Sequence, residues 1–409
     1  MRRNKEMSKL TEAILTDRTG KDIAEKLHTL AVLKGIEVGS NLEKVTTMQE
    51  IRRIVQSGKA ADVFQIGDQV IVPWTDTKTG TTYSVPMDVI KIANVTLKDG
   101  SEVPGLYLQW HYATPFGVQF DQYEAFYKAE SELPAGTYNI IVGANWGNNC
   151  KANETYQFTL TKPVPAGGLL AGFYGMPDQA PTAWKVYSFA DGNSAAIETV
   201  SVTAGSGGTN LGTFLPAGDG KVNSLHRLAY GYNRWSQSAL RQWLNSDAAA
   251  GAWWASQNDY DRAPDQLSQK DGFLKGFQAD FLECIQPVKV VTALNTVTDK
   301  ADGETEVTYD RFFPLSLEEM YIEPQLAGEG EVCPYWKHAS GLAAKMKQYQ
   351  TYPQIRTFAI ENHVSPQYVR LRSASRGYAN FTWYVSASGT VYSTTAVYAY
   401  RCAPACAIC

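Results

Sequence analysis

The sequence predicts an α+β fold, in which a short helical arm precedes a β-rich body that carries a few further helices. Three observations give this prediction. Apolar residues recur at three- and four-residue spacing before residue 60, short strand patterns separated by turn residues begin at Asp62, and amphipathic segments follow residue 224. The 409 residues suffice for two or three domains of about 150 residues each.

Composition and charge narrow the range of functions. With 44% hydrophobic and 19% charged residues, the chain is globular and somewhat poor in charge. A net charge of −4 argues against binding to nucleic acid, which needs a basic surface. No apolar run approaches the roughly eighteen residues of a membrane span. The basic start MRRNK leads into an amphipathic pattern and not into the apolar core of a signal peptide, so we expect synthesis and folding in the cytoplasm.

The helical arm comprises residues 1–60. Apolar residues follow helical spacing over 9–35 and again over 48–57. So short a helical segment buries little surface by itself, which favours an attachment or oligomerisation element. The alternative is that the arm packs on the body of the protein.

Two β-rich stretches follow the arm. In 61–120, turn signals that end at Gly80 and Gly100 separate strand patterns and predict hairpins. In 121–219, strands about ten residues apart with Pro- and Gly-containing turns predict a β-sandwich or jelly-roll-like segment. Such folds often bind carbohydrate, and Trp146 could either stack on a sugar or pack within its loop.

The segment 220–409 opens with helical signals. The motif WSQSALRQWLN at 235–245 predicts a helix capped by Ser236. Arg241 in this helix is well placed for an internal carboxylate partner. Further patterns predict a helix over 272–282 and a strand over 288–294. Residues 310–320 supply a turn into a helix. The apolar residues of the first helix that we expect to be buried are Leu240, Trp243 and Leu244.

The C-terminal forty residues differ from the rest of the chain, because no charged residue lies between Gly377 and Tyr400. This stretch combines tyrosines with small residues, which is typical of antibody paratopes. Apolar residues and Tyr, Ser or Thr alternate here with the period of a half-buried strand. The pattern predicts that Trp383, Val385 and Val391 face the core, that Tyr384, Ser386, Thr390 and Tyr392 face solvent, and that Tyr398 and Tyr400 lie on a last strand.

A solvated face usually carries charge, so this uncharged aromatic surface indicates a binding site. The alternative is an ordinary strand pair rich in Tyr and Thr, since both residues favour strands.

Several segments resemble proteins that are diversified by diversity-generating retroelements. The C-terminal variable region of that family is similar to RLRSASRG (370–377), WYV (383–385), GTV (389–391) and RCAPAC (401–406), and other parts of the family to the 235–245 motif and to FFPLSLEE (312–319). The resemblance implies a C-type-lectin-like domain of the formylglycine-generating-enzyme type. The complete prediction is then an α+β C-type-lectin-like domain with a short N-terminal helical arm and an inserted or adjacent β-sandwich segment. Its parts are the arm 1–60, the first part of the lectin-like domain 61–120, the β-rich insertion or accessory domain 121–219, and the main part 220–409 with a variable region at about 370–402.

In this family, mutation of template adenines changes codons for surface residues towards Tyr, Ser, Thr, Ala, Val and similar residues. By resemblance, the variable, ligand-binding positions are Tyr378, Asn380, Phe381, Thr382, Tyr384, Ser386, Ala387, Thr390, Tyr392, Ser393, Thr394, Thr395, Val397, Tyr398 and Tyr400.

The resemblance also implies a function. Family members in phages are tail-tip receptor-binding proteins, so we expect a virion protein that recognises a host cell-surface protein or glycan. Its arm would bind other tail proteins, and a homo-oligomer, with a trimer favoured, would add avidity. No nucleic acid, membrane or cofactor is expected. The alternative within the same fold is a bacterial surface adhesin.

Catalytic and metal-binding patterns are weak. Cys402, Cys406 and Cys409 have the spacing of three thiolates on an iron–sulfur cluster, but they lie in a small apolar strand where buried free cysteines are typical. The five histidines are far apart, and no nucleophile elbow or phosphate-binding loop is present. The segment 299–304 favours a polar turn over a calcium loop.

The acid pairs Asp259/Asp261 and Glu318/Glu319 lie too close in sequence to indicate a glycosidase dyad. We therefore predict a binding protein and not an enzyme. The remaining enzymatic alternative is a glycan-degrading tail protein that uses the inserted β segment.

Overall fold

The computed structural model shows a chain built mainly from antiparallel strands. Strands account for 35% and helices for 13% of the structure. It describes residues 47–143, 145, 149–172, 180–188, 196–214, 222–337 and 359–409. Residues 1–46, which include the predicted helix over 9–35, and Trp146 lie outside this part of the chain.

A four-stranded antiparallel sheet joins the two ends of the described chain. Its strand order is β1-β2-β5-β18, with β1 at Gln69–Asp76, β2 at Thr81–Ile92, β5 at Leu106–Trp110 and β18 at Ala405–Ile408. The predicted hairpins are confirmed, because Gly80 and Gly100 adopt positive φ at the turns after β1 and between β3 (Val95–Thr96) and β4 (Glu102–Val103). All four residues of β18 are buried, so the last strand lies inside the core and holds the segment before it in place.

The main core is rich in aromatic rings. The Trp110 ring lies 5.3 Å from that of Phe273, which lies 5.1 Å from that of Phe312. Trp74 donates its indole N–H to the Phe273 carbonyl over 3.0 Å. A Cβ on Gly276 would lie 2.4 Å from that indole nitrogen, so only glycine lets the backbone approach this closely.

A seven-stranded sheet forms a separate body. Phe126 and Phe214, on the strands at the two ends of the order, have ring centroids 5.0 Å apart, so the sheet curls into a nearly closed barrel. It is one sheet and not the predicted sandwich of two. The strand order is β12 (Thr209–Phe214), β7 (Gly136–Val142), β8 (Thr155–Leu160), β11 (Glu198–Ala204), β10 (Ala183–Tyr187), β9 (Leu169–Ala171) and β6 (Ala125–Lys128).

The described helices are short, with four to nine residues each. In chain order they are α1 (Met48–Gln56), α2 (Ala60–Val63), α3 (Val222–Tyr230), α4 (Ala239–Leu244) and α5 (Ala279–Leu282). Helix α1 confirms the prediction over 48–57, and Thr47 caps it by accepting the Glu50 N–H. Within the part of the chain that the structure describes, no helix combines the length and apolar character needed to cross a bilayer.

The α+β C-type-lectin-like fold class is wrong: the described chain consists of several sheets with few helical residues. The apolar spacing over 272–282 predicts one helix, but the chain forms a 3-10 turn (Phe273–Gly276) and then α5. The segment around Met320 is a turn and not the start of a helix. In both places the apolar side chains reach the core from irregular backbone, so helical spacing alone misassigns the segment.

Helix α4 confirms part of the prediction for 235–245. Its buried residues include Leu240, Trp243 and Leu244. Arg241 does have an internal carboxylate, since its Nε lies 2.7 Å from Asp310. The cap is Ser238, however, and not Ser236, whose hydroxyl donates to Glu306. Asp310 lies at the end of β14 (Thr305–Asp310), which pairs with β13 (Val288–Ala293).

Candidate ligand-binding surface

The C-terminal tyrosine segment forms a three-stranded antiparallel sheet. Its strands are β15 (Val369–Ala374), β16 (Phe381–Val385) and β17 (Val391–Thr395). The β16–β17 hairpin turns at Gly389, where φ is 84° and glycine is favoured. Ser386 stabilises this turn, because its hydroxyl accepts the Thr390 N–H over 3.1 Å.

The core-facing side of this sheet agrees with the sequence prediction. Val385 is fully buried in the main core, and Trp383 and Val391 are partly buried against it. Because side chains alternate along a strand, this packing turns Tyr384 and Tyr392 to the opposite face. The apolar frame therefore fixes the direction in which the tyrosines point.

Five tyrosine rings form one contiguous group on the opposite face, which we call the tyrosine cluster: Tyr368, Tyr384, Tyr392, Tyr398 and Tyr400. The ring of Tyr384 lies 5.0 Å from that of Tyr400 and 6.2 Å from that of Tyr392. Tyr368 stacks on Tyr400 with ring centroids 5.1 Å apart, and Tyr398 stacks on Tyr400 with ring centroids 5.7 Å apart. Tyr392 and Tyr398 are each 52% exposed. The cluster thus offers rigid aromatic area to solvent.

Tyr368 is a site residue that the sequence argument missed. It lies one residue before β15 and two before Arg370, so it belongs to the same face as the cluster. The sequence signal for Tyr368 is its spacing of two residues from Arg370, which places both side chains on the same face of a strand.

The segment that carries Tyr398 and Tyr400 is not the predicted last strand but a loop. The loop is nevertheless fixed at several points. Val397 donates its N–H to the Tyr230 carbonyl, and Arg401 donates to that of Tyr368. A Cβ on Gly117 would lie 2.1 Å from the Ala399 carbonyl oxygen, so the two backbones are in direct contact there. Tertiary contacts, and not strand pairing, position these two tyrosines.

Arg370 lies beneath the cluster. Its guanidinium donates to the Thr382 hydroxyl over 2.5 Å and to the Thr395 and Tyr398 carbonyls over 3.1 Å each, and it lies 4.6 Å from the Tyr400 ring centre. It forms no ion pair with a carboxylate of the described residues, and its Nε has no hydrogen-bond partner among them. Burial lowers the pKa of Arg370 to about 9, which leaves it charged at neutral pH.

Not all the predicted variable positions reach this surface. Asn380, Thr382 and Ser386 are buried, so the prediction that Ser386 faces solvent is wrong, and Asn380 and Thr382 do not contribute to the exposed surface. Thr382 binds Arg370, and the Asn380 carbonyl accepts the Ala396 N–H. These residues shape the backbone below the cluster, because the loop and the neighbouring strands cover their side of the sheet.

The remaining predicted positions lie on other parts of the sheet and at its turns. Tyr378 is 46% exposed and stacks on Phe381, with the ring centroids 4.6 Å apart. Ala387 and Thr390 lie at the hairpin turn. The half-buried residues on or just after β17 are Ser393, Thr394, Thr395 and Val397.

Side chains considered for catalysis or metal binding have structural roles. Glu319 pairs with the buried guanidinium of Arg372. Asp299 is buried and accepts the amide N–H of Asn295 over 2.8 Å. All six cysteines are buried and free, which confirms the expected burial of the last three. Within the described ranges, no group of three His, Cys, Asp or Glu residues could hold a metal ion.

Comparison with known proteins adds one match. Residues 213–409 match a family described as a domain of unknown function (DUF6273). The matched part, slightly under half of the chain, includes α4, β13 to β18 and the whole tyrosine cluster. Neither the curated proteins nor the solved structures contain a match to this chain.

Proposed function

We propose that this chain is a ligand-binding protein whose tyrosine cluster recognises a receptor on host cells, as a phage tail-tip receptor-binding protein does. The observation that carries the proposal is the cluster itself: five rings within about 6 Å of a neighbour, held on a packed sheet and a fixed loop. Rings that are already ordered lose little entropy when they bind, so such a surface is suited to recognition.

We further propose that retroelement mutagenesis diversifies this surface. The exposed positions are Tyr, Thr, Ser, Ala and Val, the residues that the family resemblance implies for variable codons. The frame beneath them contains Arg370, Trp383 and Val385, whose packing would be lost on substitution. Variation of the exposed residues would therefore change the ligand without unfolding the sheet.

Partners and assembly belong to the same proposal. A tail protein needs an attachment site, and the arm 1–60 is the candidate. A homo-oligomer, with a trimer favoured by the resemblance, would multiply weak single-site affinity.

Sequencing of this gene across a population tests the diversification. We expect substitutions to concentrate at the exposed positions around Tyr384, Tyr392 and Tyr398, and to be absent at Arg370 and Val385. A nearby reverse transcriptase gene and an imperfect repeat that differs at adenines should accompany them. Substitutions spread evenly over frame and surface would contradict the proposal.

Binding to whole cells tests the recognition. The fluorescently labelled protein is mixed with a panel of bacterial strains, and bound fluorescence is measured for the wild type and for a variant with Tyr384, Tyr392, Tyr398 and Tyr400 changed to Ser. We expect at least a tenfold loss of binding, because interface tyrosines commonly dominate affinity. Since Tyr400 contacts Arg370, a milder variant changes only Tyr392 and Tyr398, the two most exposed cluster residues.

The matched control changes Tyr260 and Tyr321 to Ser. These tyrosines are 47% and 52% exposed and lie outside the cluster. Equal binding by the wild type and by a folded double variant at Tyr392 and Tyr398 would place the recognition site elsewhere.

A further inference from the structure

A cleft of about 350 Å³ opens beside the tyrosine cluster, where the C-terminal sheet meets the barrel. Pockets for small ligands span roughly 300–1,000 Å³, so this volume suits one small chemical group. Tyr398 is shared between the cluster and the cleft, so a ligand on the cluster can extend into it. The cleft is lined by Tyr123, Lys185, Tyr230, Thr395, Val397 and Tyr398.

The two walls of the cleft differ in their expected variability. Thr395, Val397 and Tyr398 are among the predicted variable positions, whereas Tyr123 and Lys185 lie in or beside the barrel and are outside that set. The walls are joined at the base, because the Val397 N–H donates to the Tyr230 carbonyl over 3.1 Å.

The wall formed by Tyr123 and Lys185, which we call the constant wall, carries positive charge. Lys185 forms no ion pair with a carboxylate of the described residues, although its side chain lines the cleft. The guanidinium of Arg262 lies 4.2 Å from the ring centre of Tyr123, one of the lining residues. On the other wall, Arg370 donates to the Tyr398 carbonyl. None of the lining residues is acidic, so these cations would favour an anion in the cleft.

The cleft also presents aromatic rings. The rings of Tyr123, Tyr230 and Tyr398 offer flat apolar faces on the same lining as Lys185. A cation and apolar rings together match the carboxylate or phosphate and the apolar face of an acidic sugar.

We propose that this cleft binds an acidic sugar residue of the receptor, with Lys185 pairing with its anionic group. The inference rests on the proposed function, because it assigns a ligand class to the same recognition site. The constant wall then requires a negative charge in every ligand, and the variable wall of Thr395, Val397 and Tyr398 selects among acidic sugars. A diversified protein would in this way keep one chemical class of ligand while changing its specificity.

The experiment measures binding of the full chain to immobilised oligosaccharides in matched acidic and neutral pairs. The acidic probes end in N-acetylneuraminic acid, galacturonic acid or a sugar phosphate, so carboxylate and phosphate sources are distinguished. We expect acidic probes to bind at least tenfold more tightly than their neutral partners, and this ratio to fall as salt rises.

Charge variants identify the residue responsible. Lys185→Gln should reduce binding to acidic probes at least tenfold, and Lys185→Arg should retain it within about threefold, because the second variant keeps the charge. Lys289→Gln is the matched control: it removes the same charge from an exposed strand position on β13, and binding should not change. Competition with an Asp- and Glu-rich peptide provides a further arm.

Two results would overturn the proposal: equal binding of acidic and neutral probes, or unchanged acidic binding by a folded Lys185→Gln protein. Displacement by the acidic peptide with no binding to any acidic sugar would also overturn it. The proposed function is judged separately: recognition by the cell-binding assay with the Tyr392 and Tyr398 variant, and diversification by population sequencing. If the surface positions vary but Lys185 has no role in binding, only the proposal for the cleft is rejected. If binding depends on Lys185 but Thr395, Val397 and Tyr398 do not vary, only diversification is rejected.

Discussion

Arg370 holds the tyrosine cluster from below, with its guanidinium 4.6 Å from the centre of the Tyr400 ring. The same group binds the Tyr398 carbonyl and the Thr382 hydroxyl, so one buried cation links β15, β16 and the loop. A cation over an aromatic face is stabilised more strongly when water is excluded. The cluster is therefore ordered before any ligand arrives.

This relationship predicts the effect of Arg370→Met. The variant loses four charge-assisted hydrogen bonds and leaves three carbonyls without that donor, so we expect a loss of stability of about 3 kcal/mol or more. Chemical denaturation measures this loss. Lys289→Met, at an exposed strand position, is the control and should change stability by less than about 0.5 kcal/mol. Similar stabilities for the two variants would mean that Arg370 does not hold the loop.

Val385 and Tyr392 are neighbours on opposite faces of the β16–β17 hairpin. Val385 belongs to the buried frame, and Tyr392 belongs to the exposed surface. Val385 is fully buried, so Val385→Ala should destabilise the protein by about 2 kcal/mol. Tyr392→Ala, at a half-exposed position, should cost less than about 0.5 kcal/mol. Thermal or chemical unfolding compares them. A larger cost at Tyr392 would mean that the cluster is part of the core and not a replaceable surface.

Asp310 is a buried carboxylate that binds two side chains of the α4 segment. It accepts the Trp235 indole N–H over 3.0 Å and pairs with Arg241 over 2.7 Å. Asp310→Asn should cost about 3 kcal/mol, because it leaves a partly buried cation without its partner. Asp302→Asn is the matched control: its carboxylate is 53% exposed beside Arg234, and its loss should cost under about 1 kcal/mol. Equal losses of unfolding free energy would contradict this difference in burial.

A buried acidic group at the base of the barrel predicts a pH dependence. Burial, together with the nearby carboxylates of Asp261 and Glu124, raises the pKa of Asp121 well above its usual value. Burial likewise raises the pKa of Asp261 to about 7, and the hydrogen bond from the Gln257 backbone N–H and the charge of Arg227 offset this only in part. An acid with a raised folded-state pKa contributes stability that is present below about pH 4 and is lost as pH rises through the folded value.

The variant Asp121→Asn tests this pH dependence. Between pH 5 and pH 8 the wild type should lose stability and the variant should not, so the unfolding free energy of the variant should increase relative to that of the wild type, because residue 121 no longer has to ionise. Unfolding curves at several pH values give the difference. Asp259→Asn, exposed beside Lys128, is the control, and its difference should stay constant. A constant difference for Asp121→Asn as well would show that this carboxyl titrates normally.

The cysteines should resist thiol reagents in the native state. Burial raises the pKa of Cys150 to about 11 and that of Cys402 to about 12, and it raises the pKa of Cys406 well above its usual value. Because the thiolate is the reactive form, we expect almost no reaction with an aromatic disulfide at pH 8, and six reactive thiols after unfolding. Rapid labelling of Cys406 in the folded protein would contradict the burial of β18.

Local patterns in the sequence identified several elements correctly. The alternation around Val385 predicted which side of β16 packs on the core, because in a strand successive side chains must point to opposite faces. Helical spacing likewise predicted the buried residues of α4, and a lone arginine on that helix predicted the carboxylate that proved to be Asp310. Each of these conclusions depends on neighbours within a few residues.

Contacts between distant parts of the chain decided the rest. Helical spacing misassigned the segment at Phe273, since close packing of Gly276 on Trp74 favours a 3-10 turn there. By resemblance, Asn380 and Thr382 are variable, ligand-binding positions, yet the covering loop and Arg370 bury them.

By itself the sequence determined that an uncharged tyrosine segment lies on an apolar frame near the C-terminus. Only the tertiary structure decided that Tyr368 joins this surface, that a loop and not a strand carries Tyr398, and that Lys185 from the barrel lies beside it. The physical reason is that alternation is a property of one strand, whereas a surface or a cleft exists only where separate strands and loops meet.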